Sequence, residues 1–489
     1  MHKKILSVVG GFALAALLGG VLTGFVQSAP AEAASASAFD PSRIIDDAIF
    51  FNGSLMSEAS VQAFLQRKVP TCTAAAGNSG CLKDYRSDSA ARAANNYCAA
   101  YPGGTNQLAS TIIYNVALAC NINAQVLLVT LQKEENLVLS TNPSAGAYKI
   151  AMGYGCPDTA ACDTTYYGFA NQVYAAAKQF EIYRLLPFGN FRAGRTSAVS
   201  YYPAVLNAYG DNRGNARCGT ITLTVQNAAT AALYNYTPYA PNAPALGNLY
   251  GQGDTCSSYG NRNFWTYFTD WFGSTTISST AISFVKALYS DVLNRAPWDQ
   301  EIAGWGQNLM NGMSPVQIGS GFVNSDEYRL IRINAAYRDI LGRTASPQEA
   351  TGWLNNMRVG IIQTDDVDRT FLASQEFFGL TGGTNELFVS ALYSRLIGRP
   401  AAPPEASGWG AIAASSGRQG VVNSIWNSFE TARSRVAGMY SLYLGRTPVG
   451  DELDGWAMMS IGGGDSAVRW SIMGSAEYMA RAVARFPAS

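Results

Sequence analysis

Two adjacent glutamates, Glu134 and Glu135, have the best placement for chemistry in this chain. They end the run Asn123-Ala-Gln-Val-Leu-Leu-Val-Thr-Leu-Gln-Lys-Glu-Glu-Asn136, whose apolar content predicts a buried helix. Burial disfavours the charged carboxylate and raises its pKa, so such an acid can protonate a leaving oxygen near neutral pH. Glycoside cleavage needs that step. The helical wheel does not choose between the two: Leu127 flanks one, Leu128 and Leu131 the other. Helix ends also carry Glu for purely structural reasons.

What the chain lacks narrows the chemistry. Its one histidine, His2, lies in the leader, so Ser-His-Asp and Cys-His catalysis and histidine-ligated zinc are excluded. Acid–base work falls to carboxylates, Tyr or Lys. A hydrolytic route would draw a second carboxylate from Asp158 or Asp163, in a Gly-rich loop over 141–168. Two carboxylates are too few to argue for calcium, and no cofactor or metal is expected. Tyr154, Tyr166, Tyr167, Tyr236 and Tyr239 offer faces for sugar rings, with loop or core packing as the competing role.

Elements that would position these residues can be read nearby. Ser57 caps a helix carrying Val61, Phe64 and Leu65. A second buried helix carries Phe169, Val173, Tyr174, Ala177 and Phe180. Thr196–Tyr202 and Thr220–Val225 alternate and are β-branched, which predicts a hairpin.

Eight cysteines, Cys72, Cys81, Cys98, Cys120, Cys156, Cys162, Cys218 and Cys256, all fall in the first half. An even count without CxxC or mature histidine favours disulfides over zinc. Short loops suggest that neighbours pair: 72 with 81, 98 with 120, 156 with 162, 218 with 256. Export is expected from the N-terminus too. Lys3 and Lys4 precede the apolar stretch Ile5 to Val26, and Ala31-Glu-Ala33 and Ala34-Ser-Ala36 offer cleavage sites. An uncleaved anchor is the alternative.

The 489 residues exceed one core, and 14% charged residues with zero net charge give no reason to expect nucleic acid or a membrane surface as partner. The expected organisation is a signal peptide over 1–34, a disulfide-containing domain over 35–274, a polar linker over 275–280, and four helical repeats near 281–332, 333–384, 385–435 and 436–489. The repeats share Arg295, Arg343, Arg399 and Arg446, each followed six residues later by Glu and ten later by Trp. A Ser-x-Glu element ends each unit, at Glu327, Glu376, Glu430 and Glu477. Each unit reads as short helices packing Tyr, Leu and Trp, with Arg and Glu clamping the turn between helices.

Residues of about 281–480 resemble the bacterial repeat family catalogued as domain of unknown function 4214. The likeness rests on Leu-Gly-Arg-Thr at 341–344 and 444–447, the Glu-x-x-Gly-Trp pattern, and Phe371-Leu-Ala-Ser-Gln-Glu-Phe377. It implies an accessory region of a secreted or surface protein. About 105–273 resembles the lysozyme-like superfamily, specifically its lytic transglycosylases. The matching residues are Glu134-Glu135-Asn136-Leu137, Asn142-Pro143-Ser144-Ala145-Gly146, Ala151-Met152-Gly153-Tyr154 and Ala229 to Tyr239. That resemblance implies that Glu134 is a single acid/base acting on peptidoglycan, with the sugar's own 6-hydroxyl as nucleophile. The chain departs from the pattern where Glu135 replaces a Ser.

The fold class expected is mainly α: a lysozyme-like α+β domain with a small β-hairpin and disulfides, then an all-α domain of four repeats. Three functions follow. The chain is a secreted peptidoglycan-cleaving enzyme, a non-catalytic glycan-binding or adhesion protein of the cell surface, or a scaffold built on its repeats. No membrane partner is expected after signal cleavage, and the sequence names no partner for the repeats.

Overall fold

The computed structural model describes residues 33–74, 79–157, 160–185, 190–202 and 215–487. The leader up to residue 32 and Asp158 lie outside these. Among the described residues the chain is mainly helical, with two separate two-stranded antiparallel pairs in its first half. Among the described residues no helix is long and apolar enough to cross a membrane.

One hydrophobic core fills the first half. The helix Ala109–Cys120 packs on Phe169–Leu185, which packs on Ala228–Tyr236, while Ala124–Glu135 packs on Gly260–Phe272. Local chemistry sets the ends of these helices. Ser57 Oγ accepts from Ser60 N at the start of Glu58–Lys68, and Asn123 caps Ala124–Glu135. That second helix stops at Asn136, whose left-handed φ of 54° lets its N–H satisfy Leu131 and Gln132 carbonyls. The hairpin pairs Thr196–Ser200 with Thr220–Thr224 in continuous register. All eight cysteines are bonded, as Cys72–Cys81, Cys98–Cys120, Cys156–Cys162 and Cys218–Cys256.

The segment expected as a linker is built into a seam. Asp46 N donates to Thr275 O at 3.0 Å, and Asp46 Oδ2 accepts from Ile277 N at 2.9 Å. Thr275 and Ile277 are buried. Asn52 Nδ2 donates to Gln300 O and Asn311 Nδ2 to Phe272 O, tying the helix Asp299–Met310 to the first half.

Beyond the seam the chain does not run as a linear stack. Phe284, Leu288 and Tyr289 share a core with Tyr440, Tyr443, Ile472 and Tyr478 near the C-terminus. Tyr337, Phe371, Leu392 and Trp426 form a second core between them in sequence. The helix Ser279–Leu293 packs on Ala476–Arg485, where Ser283 Oγ donates to Phe486 O and Tyr478 OH to Asp291 Oδ2.

Candidate functional site

The helix Ala124–Glu135 delivers Glu134 to the end of an apolar face, beside the Ala151–Tyr154 turn. Gly153 has a φ of +67°, and a Cβ there would lie 3.1 Å from Glu134 Oε2, so the turn needs glycine to approach the carboxylate. The buried Gln172 shapes this turn. Its Oε1 accepts from Met152 N and Tyr154 N, and its Nε2 donates to Tyr154 O and Tyr166 O. Tyr236 OH donates to Met152 O at 2.5 Å. Burial, then the charge of Glu134, holds the Tyr236 hydroxyl pKa well above its ordinary value.

Glu134 itself is paired. Lys133 Nζ lies 2.5 Å from Glu134 Oε1 and also donates to Thr237 Oγ1 at 3.0 Å. The Lys133 side chain is 4% exposed and that of Glu134 26%. The ammonium also sits over the Tyr236 ring, 5.5 Å from its centroid. One carboxylate oxygen is thus committed to a buried cation. An oxocarbenium-like transition state would have to develop its own positive charge beside that cation.

Glu135 differs from its neighbour. It forms no salt bridge or hydrogen bond among the described residues. Burial, then the neighbouring Glu134, raises its pKa.

The other expected residues divide into two groups. Tyr154 belongs to the Glu134 cluster; its hydroxyl donates to Gln179 Oε1 and burial pushes its pKa up to about 12. Tyr166 meets it edge-on at 4.7 Å between ring centroids. Tyr167 instead lies under Lys149, 4.0 Å from Nζ, and Tyr239 accepts from Asn261 through its backbone beside the hairpin. Asp163 Oδ1 accepts from the Thr165 N–H and hydroxyl, which lower its pKa and give it a local capping task. Lys133, Gln172 and Thr237 escaped the sequence reading. A lysine one residue before the acid, on an otherwise apolar helix, was the available signal for the first.

The four arginines that recur in the repeats each hold two glutamates. Arg343 Nη2 donates to Glu349 Oε1 at 2.9 Å, and its Nε to Glu376 Oε1 at 2.6 Å. Arg295 holds Glu301 and Glu327, Arg399 holds Glu405 and Glu430, and Arg446 holds Glu452 and Glu477. The nearer glutamate also accepts from a backbone N–H at the start of its helix: Trp298, Ser346, Ala402 and Val449. Each guanidinium lies over a tyrosine ring, and in three cases the following Trp donates to that tyrosine hydroxyl. These groups satisfy one another, as structural clamps do.

Among the described residues no group of three or more His, Cys, Asp or Glu is arranged to hold a metal ion. Residues 267–330 match a protein family described as Domain of unknown function (DUF4214). The match begins within the helix Gly260–Phe272, spans the seam and ends in the helix Asp326–Leu341. No curated protein and no solved structure matches the chain.

Proposed function

We propose that the protein is exported to the cell wall, where its disulfide-bonded first half, a lysozyme-like domain over 35–274, engages peptidoglycan without cleaving it. The helical region, read as four copies of one repeat, is its rigid accessory. One observation carries the non-cleaving reading: the 2.5 Å ion pair between the buried Lys133 and Glu134, the residue that a transglycosylase would use as acid. Four disulfides support export to an oxidising compartment. Incubation of residues 35–489 with purified peptidoglycan tests the reading by mass spectrometry of the released products. It expects no anhydro-muropeptides from the unaltered chain. Their appearance, and their loss in Glu134→Gln, would sink it.

A second reading has its own observation. Glu135 is unpaired and raised by burial, which suits a general acid. Cleavage through that residue would be lost in Glu135→Gln and kept in Glu134→Gln.

A further inference from the structure

A cavity of about 250 Å³ lies where the two helical cores meet, apart from the Glu134 cluster. Its wall carries three arginines, Arg332, Arg435 and Arg469, and two aspartates, Asp368 and Asp465. Their places in the repeated sequence are unusual. Eleven residues before Arg295, Arg343, Arg399 and Arg446 stand Phe284, Arg332, Phe388 and Arg435. Both phenylalanines are fully buried, so units two and four set a cation where units one and three set a core ring. Six residues before the Ser of each Ser-x-Glu element stand Gly319, Asp368, Val422 and Arg469. Unit two therefore has an Arg with an Asp, and unit four has an Arg with a second Arg at the same two positions.

The bonding leaves one cation over. Arg332 Nη2 donates to Asp368 Oδ2 at 2.7 Å, while its buried Nε has no partner. Arg435 gives its three nitrogens to Asp465 Oδ2, Trp426 O and Ser460 Oγ, and Ser460 Oγ donates to the other oxygen of Asp465. The partly buried Arg469 makes no hydrogen bond or ion pair among the described residues. Asp365 and Asp465 attract it only through space. Asp365 accepts from Asp465 N and lines a different cavity, beside Gly464. The backbone is irregular here as well. The helix Phe429–Met439 runs on into a π-helical turn, Tyr440–Leu444, and Met439 and Leu442 line the cavity. Such turns recur at functional sites.

We propose that this cavity binds a small oxyanion, a phosphate or carboxylate group, on Arg469 and the free Nε of Arg332. A guanidinium suits that ligand because its planar fork meets two oxygens at once. A partly buried cation without a bonded counter-charge costs the empty protein stability, and a bound anion offsets that cost. The volume is below the roughly 300–1,000 Å³ of drug-sized sites, which fits an ion or one anionic group of a larger molecule. The assignment is independent of the wall-glycan reading.

Its test is calorimetric titration of residues 35–489 with sodium phosphate, and separately with sodium acetate, at an ionic strength held constant with chloride. Saturable one-site binding of at least one anion is expected, and the tighter of the two tells phosphate from carboxylate chemistry. Arg469→Met should weaken binding about tenfold or more. Its melting temperature without anion should be unchanged or higher, because the cation removed has no bonded partner. A lower melting temperature with binding unchanged would make Arg469 a structural residue and overturn the proposal. Gly438→Leu blocks the cavity with all three arginines in place. Gly438 lines it at an exposed helical position, and a Cβ there meets nothing within 4 Å. That variant too should bind about tenfold or more weakly, with its thermal melt as the check on folding. No saturable binding of either anion by the unaltered chain, or equal binding by a folded Gly438→Leu, overturns the assignment.

Discussion

Residues 33–274 and the helical region after them tie their turns by different chemistry. In the first, four disulfides bridge loops around one hydrophobic core. In the second, which has no cysteine, four arginines bridge helix starts to helices 31–33 residues further on. A disulfide acts largely on the unfolded chain and holds at any pH at which the protein is stable. An arginine–carboxylate clamp exists only while its acids are ionised. One half therefore answers to reductant and the other to pH, although they share a seam.

The largest effect expected is on the first half alone. Reduction of all four bonds should lower or abolish its thermal transition in calorimetry, since each native disulfide in a secreted domain contributes about 2–5 kcal/mol. The helical transition should stay in place. Loss of both together would show that the seam makes the halves one cooperative unit.

Next in size is the charged interior where the two helical cores meet. Arg435 Nε lies 2.9 Å from Asp465 Oδ2, and its other nitrogens donate to Trp426 O and Ser460 Oγ. Arg435→Met removes the cation hydrogen-bonded to the buried Asp465, and denaturant unfolding should show a loss of about 3–5 kcal/mol.

A smaller effect separates two pH windows. Burial, then the nearby Asp465, raises the pKa of Asp365, which also accepts from Asp465 N. The folded form thus binds this proton more tightly than the unfolded one. Its contribution is full below the ordinary Asp range, about pH 4, and is lost as pH rises through the raised value. Asp365→Asn should raise the helical melting temperature at neutral pH and flatten its slope above pH 4. Glu349 behaves in the opposite sense. Arg343, then the Ser346 N–H, lowers its pKa to about 2. Its contribution is full above the ordinary Glu range and disappears as pH falls toward 2. Arg343→Met should lower the helical melting temperature at neutral pH and flatten its fall as pH drops toward 2, by the smallest shift of the series, because the clamp is exposed and solvent-screened.

Local features were legible in the sequence, and contacts between distant segments were not. Ser57 announced its helix because capping needs only a side chain and a backbone N–H three residues apart or fewer. Short loops suggested the four disulfide pairs. The Arg–Glu spacing of six was enough to expect half of each clamp; the second glutamate was visible as the Ser-x-Glu element that ends each unit, but its pairing with the arginine comes from tertiary packing. The strand pair Arg86–Ser89 and Gly104–Leu108 is polar and lacks alternation. It is held by such contacts as Asp88 Oδ1 with Asn106 N, so periodicity missed it. Lys133 was invisible as a partner of Glu134 because neighbouring helical side chains ordinarily diverge. The closure of Ser279–Leu293 on Ala476–Arg485 joins segments that only the fold brings together.

The central claim, glycan engagement without cleavage, is tested most directly by sedimentation. Residues 35–489 are mixed with purified peptidoglycan, and pellet and supernatant are analysed for the chain and for released muropeptides. The Lys133–Glu134 pair predicts the chain in the pellet and no muropeptides in solution. A chain left in the supernatant, or muropeptide release abolished by Glu134→Gln, would contradict it.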